Sequence, residues 1–142
     1  DCPIFLENYL LRLGVIIPLT DFTCENGASY YLEKSHLKKE KPSEKMFYDN
    51  CKRLTLKRGS AWFFNTRLWH AGGINKTREW RHAITINLCR PWMKQYFNIP
   101  KLIADQDLSS ASETLLQKFG FYSQPPCSYD DFFDEKRKRL FI

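Results

Sequence analysis

The longest apolar run in the chain, Leu13-Gly14-Val15-Ile16-Ile17-Pro18-Leu19, has the pattern of a strand buried on both faces. Pro18 near its end weakens a mid-sheet placement there. Asp21 to Gly27 is polar and closes on Asn26-Gly27, a turn dipeptide, after which Ala28 to Leu32 forms a second predicted strand. Glu33 to Glu44 has no periodicity and is expected to be loop. Arg53-Leu54-Thr55-Leu56-Lys57 alternates as a half-exposed strand does, and Arg58-Gly59-Ser60 then turns the chain into the strand Ala61-Trp62-Phe63-Phe64. His82 to Cys89, rich in Ile and Thr, is the last predicted strand.

The pattern changes after Pro91. Ser110-x-x-Glu113 is a capping-box signal, followed by Leu115, Leu116 and Phe119 and stopped by Gly120, which predicts a short helix. Ser123 to Tyr129, with Pro125-Pro126, is expected to be an extended tail packing back on the body. Short strands separated by turn signals point to a mainly β domain, a sandwich or jelly roll, with a C-terminal appendage.

Length allows one domain with a real core, so residues 1–142 are taken as a single domain. A hydrophobic fraction of 43% and an aromatic fraction of 15% exclude general disorder. No run approaches the length of a membrane span. Asp1, Pro3, Glu7 and Asn8 do not make a secretory leader, and without an initial Met the native N-terminus is expected further upstream. The cysteines at 2, 24, 51, 89 and 127 are scattered, which argues against a zinc cluster or disulfide framework and for a reducing, cytoplasmic location. The net charge of +6 is concentrated in Lys38-Lys39-Glu40-Lys41 and Lys136-Arg137-Lys138-Arg139. Such runs usually decorate surfaces, so no nucleic-acid partner is expected, although an anion-steering patch stays open.

The densest chemistry lies in Trp62-Phe63-Phe64-Asn65-Thr66-Arg67-Leu68-Trp69-His70-Ala71-Gly72-Gly73. Here an imidazole follows an aromatic strand, and Gly72-Gly73 permits close approach of backbone or ligand. Beyond a short loop, Arg81, Ala83, Thr85 and Asn87 share one face of the last strand, while His82, Ile84, Ile86 and Leu88 share the other. The first face is small and polar, as a cavity lining would be, and a guanidinium there can grip a carboxylate through two parallel bonds. His70 as a core histidine and Arg81 as a surface residue remain the plain alternatives, and Arg78 is a second possible clamp. No nucleophile elbow, P-loop or H-E-x-x-H motif is present.

Gly59 to Phe64, His70-Ala71-Gly72-Gly73-Ile74-Asn75-Lys76-Thr77 and Arg81 to Ile84 together resemble the distal-histidine segment of the phytanoyl-CoA dioxygenase family. Ile17 to Thr23, Glu25-Asn26-Gly27-Ala28 and Ser35-His36 are similar to the family's strand-turn-strand. The resemblance implies the C-terminal half of a double-stranded β-helix (a cupin-like jelly roll). It also implies an Fe(II)- and 2-oxoglutarate-dependent dioxygenase that uses O2 to hydroxylate a small organic substrate and releases succinate and CO2. In that family a His-x-Asp pair and a distant His hold iron, and an Arg beyond takes the far carboxylate of 2-oxoglutarate.

Carried over, His70 is the distal ligand and Arg81 the clamp. Asp1 is the carboxylate ligand, its partner His lying two residues upstream. Thr85 and Asn87 are expected to line the pocket on strand parity. An ordinary exposed terminal acid is the plain alternative for Asp1. If it is the ligand, hydroxylation is favoured over the halogenation of relatives that carry a small residue there. His36 is expected to hold a loop and His82 to be structural. The rival function is a catalytically inactive member of the same fold with a binding or regulatory role.

Overall fold

β-branched and aliphatic residues make Arg12–Pro18 (β1) the centre of an antiparallel sheet, between Trp62–Asn65 (β4) and Ala83–Cys89 (β6). The computed structural model describes residues 4–134. The register sets Gly14 opposite Phe64 and Asn87, and Ile16 opposite Trp62 and Thr85. One face of this sheet therefore carries Trp62, Phe64, Thr85 and Asn87. The other carries Val15, Phe63 and Ile86. Pro18 closes the strand as a buried last residue, and the ladder continues with Leu19 N–H donating to His82 O at 2.9 Å.

A second antiparallel sheet has Tyr30–Tyr31 (β2) between Lys52–Arg53 (β3) and His70–Ala71 (β5). Its strands are shorter than the alternation predicts: Ala28 to Leu32 pairs only at Tyr30–Tyr31, and beyond Arg53 the strand reduces to a bridge between Phe22 and Leu56. The alternation itself holds, with Leu54 buried and Thr55 and Lys57 exposed. The described residues thus form a mainly β first unit of two separate sheets that do not close into one barrel.

The expected loop at 33–44 runs into a helix, Glu44–Asn50 (α1). Ser43 caps it, accepting from Met46 N–H at 3.2 Å, and Phe47 is its one buried residue. Seven residues with a single core contact leave no periodicity to read, yet the cap signal of a serine before Glu44 was present.

The chain divides into two compact units, Asp1–Cys89 and Arg90–Ile142. The second unit is helical: Ile99–Leu102 (α2), Glu113–Phe119 (α3) and Tyr129–Phe133 (α4). α3 ends as expected at Gly120, left-handed with φ 88°, but its cap is Ser112, which accepts from Leu115 N–H, and not Ser110. Of the expected extended stretch, Gln124 to Ser128 carries no helix or strand, and Ser128 caps α4, which begins at Tyr129. The basic run 136–139 lies outside the described residues. No helix among the described residues is long and apolar enough to cross a membrane.

Candidate functional site

His70 enters the second sheet opposite Tyr31, and the two share a face. Tyr31 meets Trp62 at 5.6 Å between ring centroids, Trp62 stacks on Phe64 at 4.4 Å, and Phe64 meets the His70 ring edge-on at 6.0 Å. Those rings bring His70 to the Trp62-Phe64 face of the first sheet. Gly14 is needed beneath them, because a Cβ at that position would run into the Phe64 ring.

The imidazole is held by its own turn. Nδ1 lies 2.7 Å from Leu68 O. A carbonyl only accepts, so Nδ1 carries a proton, and in the neutral ring the lone pair is then on Nε2. The turn is in turn tied to the loop after β2. Ser35, fully buried, donates to Leu32 O at 2.7 Å and accepts from Trp69 N–H at 2.8 Å. Leu32 N–H donates to Trp69 O at 2.9 Å. The expected role of His36 thus belongs to its neighbour, since His36 Nδ1 is buried with no hydrogen-bond partner among the described residues. A buried small hydroxyl beside the histidine of the strand-turn-strand was the signal for Ser35.

Of the two glycines after His70, Gly73 is the crowded one. A Cβ there would overlap Ala28 O, whereas Gly72 faces open space. Gly73 lets the chain pass against Gly27 and Ala28, next to the bridge between Asn26 and Asn75.

Arg81 is half-buried, its guanidinium 4.2 Å above the Phe22 ring. Burial, and after it the positive charge of Arg53, push its pKa below the ordinary value. It has no ion-pair or hydrogen-bond partner among the described residues. Arg53, which sequence reading passed over, lies 4.2 Å above Tyr30 and donates to Cys24 O at 2.8 Å. Arg78 is exposed in the loop before Arg81. Thr85 and Asn87 share the sheet face of Phe64, as parity predicts, and both are exposed. His82 is exposed and is tied through its backbone N–H to Thr20 Oγ1 at 3.2 Å.

Asp1 lies outside the described residues. Among the described residues no three His, Cys, Asp or Glu side chains gather as a metal site, so His70 stands there as a single candidate ligand.

The sequence profile of phytanoyl-CoA dioxygenase (PhyH) matches residues 4–83, more than half of the chain, and spans both His70 and Arg81. The chain belongs to the phytanoyl-CoA dioxygenase family. Uncharacterized proteins of Mycobacterium bovis and Mycobacterium tuberculosis are each 27% identical to it over 141 residues, covering 99% of this chain and 52% of the relative. The chain thus spans about half the length of these curated relatives. Among solved structures, EvdMO1 is 25% identical with a TM-score of 0.51, over 57% of this chain and 20% of that one. The non-heme alpha-ketoglutarate-dependent epimerase SnoN from nogalamycin biosynthesis is 26% identical with a TM-score of 0.47, over 54% of this chain and 31% of that one.

Proposed function

We propose that this chain is the part of an Fe(II)- and 2-oxoglutarate-dependent hydroxylase that supplies the distal metal ligand and the cosubstrate clamp, within a double-stranded β-helix domain. The observation that carries the reading is the bond from His70 Nδ1–H to Leu68 O. Such a bond orients the ring of a metal-binding imidazole and favours the tautomer with Nε2 toward the metal. Family membership supplies the context, and the exposure of His70 leaves it accessible to a metal ion.

An imidazole oriented by its own turn is a donor that suits the group. His70 Nε2 would hold iron together with Asp1 and, on the family pattern, a histidine two positions before it, a facial triad of two imidazoles and a carboxylate. Bound there, Fe(II) with 2-oxoglutarate and O2 supplies the oxidising power that hydroxylates a C–H bond, with release of succinate and CO2. The remaining work falls to this chain's side chains. Arg81, a half-buried cation with no acid paired to it among the described residues, receives the far carboxylate of 2-oxoglutarate. Trp62, Phe64 and Tyr31 wall His70 from one side and exclude water. Thr85 and Asn87 add the polar lining.

An anaerobic titration of the whole protein with Fe(II) and 2-oxoglutarate tests this. We expect the visible charge-transfer band of the chelate, its loss in His70→Ala, and a requirement for at least about tenfold more 2-oxoglutarate in Arg81→Ala, as the loss of a charged bidentate bond implies. No band in the folded wild-type protein overturns the oxygenase reading and leaves a binding or regulatory domain.

A further inference from the structure

A cleft of about 830 Å³ opens beside His70, between the segment leading into α1 and the turn that carries the histidine. That is the size of a small-molecule site. Its charge is lopsided. Lys39, Lys41 and Arg67 line it, and Glu44 is the one carboxylate among its described lining residues. The Arg67 guanidinium is oriented by donating to Lys38 O at 2.9 Å and by lying 4.8 Å above the Phe5 ring. The wall also includes Thr66, only 7% exposed, whose hydroxyl has no hydrogen-bond partner among the described residues. A buried hydroxyl without a partner is a cost that a bound polar group relieves.

Arg81, the proposed cosubstrate clamp, is not among the described residues that line this cleft. We infer that the cleft is the substrate site and that the substrate is a small molecule bearing a phosphate or carboxylate, drawn in by Lys39, Lys41 and Arg67 and presented to the metal at His70. The chemistry shared by the two anions is a fixed negative charge with several acceptor oxygens, which guanidinium and ammonium groups both satisfy. The inference rests on His70 being a metal ligand. It adds the substrate class, which family membership does not specify.

The test is an NMR titration of the whole protein with phenyl phosphate, with benzoate, and with benzyl alcohol as a neutral control carrying the same ring. Binding is followed at the backbone amides of Thr66, Arg67 and His70. We expect at least one of the two anions to shift these amides in a saturable way while benzyl alcohol does not, and the tighter anion names the source of the charge. In Lys39→Ala/Lys41→Ala, two exposed positions whose replacement leaves the core intact, that anion's affinity falls about fivefold, the sum expected of two solvent-exposed charge pairs. No anion binding, equal binding of benzyl alcohol, or unchanged affinity in the double variant overturns the inference. The iron-chelate titration of the wild-type protein separates the two readings. A chelate band without probe binding sinks the substrate class alone, while probe binding without a band sinks the oxygenase reading and leaves the anion cleft.

Discussion

In the first unit, one sheet holds the seven-residue β1 between two partners along a continuous ladder, while the other is built from strands of two residues. The long ladder fixes its own register: a slip of one residue would drive the Phe64 side of the sheet to the opposite face. The short sheet cannot do this with so few backbone bonds. Its alignment comes from side chains that reach the backbone: Ser35 to Trp69 and Leu32, Asn26 to Thr23 and Asp21, and Arg53 to Cys24. The candidate ligand His70 sits on the sheet that side chains align, and the aromatic wall against it sits on the sheet that backbone aligns. The placement of the imidazole therefore depends on a few polar contacts, each removable by one substitution.

The largest effect is expected where the short sheet depends on bare backbone approach. Gly73→Ala puts a methyl group against Ala28 O, a contact that no rotamer change relieves. We expect a loss of about 3 kcal/mol or more, the range of severe single substitutions, seen as a lower denaturant midpoint with unchanged slope. A change within 0.5 kcal/mol, the range of ordinary surface substitutions, would mean that the 72–75 turn moves freely and that the second sheet is not held there.

Gly14→Ala probes the long sheet. The new methyl group displaces only a ring, but that ring stacks on Trp62 and touches His70. Overpacking of this kind costs about 1–3 kcal/mol. The ring protons of His70 should shift as Phe64 moves, because the ring current they feel changes with it. A stability loss without any change at His70 would separate the two sheets where the ring contacts join them.

Ser35→Ala removes two hydrogen bonds at once and leaves the Trp69 N–H without its acceptor. An expected cost of about 1–3 kcal/mol follows from a buried donor left unsatisfied. Faster amide exchange at Trp69, with the β1–β6 ladder still protected, would place the loss in the short sheet alone. Uniform acceleration across both sheets would show them to be one cooperative body.

This contrast also explains what could be read from the chain. β1, β4 and β6 were visible because apolar runs and alternation report a ladder directly, and the glycine stop of α3 was visible because a left-handed cap demands glycine. In the candidate site, the ligand and clamp roles of His70 and Arg81 are proposals that rest on the family pattern. The strand position of His70 and the shared face of Thr85 and Asn87 were legible, from the aromatic run and strand parity. Ser35, Arg53 and Thr66 were not, because their importance comes from partners distant in sequence, as with Ser35 and Trp69. α1 escaped because its single buried side chain makes no periodic pattern. Ser110 was preferred over Ser112 because only Ser110 has a Glu three residues on, whereas the backbone starts the helix at Glu113 itself.

The smallest expected effect belongs to Asp21, which ties the loop after β1 to the turn before β4. Its carboxylate accepts from Arg58 N–H at 2.7 Å and from Lys57 Nζ at 3.0 Å. Those bonds, with the backbone N–H first, hold its pKa below the ordinary aspartate value. A depressed folded pKa stabilises the fold above the pKa of the unfolded chain, and that contribution is lost as pH falls through the lowered folded value. Asp21→Asn keeps an acceptor for Arg58 N–H but removes the charge, so the variant should lose a little stability at neutral pH and show a flatter decline on acidification. Because the Lys57 partner is exposed, added salt should shrink the difference between the two proteins at neutral pH. If the acid decline is identical in both, the turn before β4 is held by its backbone alone. The side-chain stitching would then be confined to the sheet that carries His70.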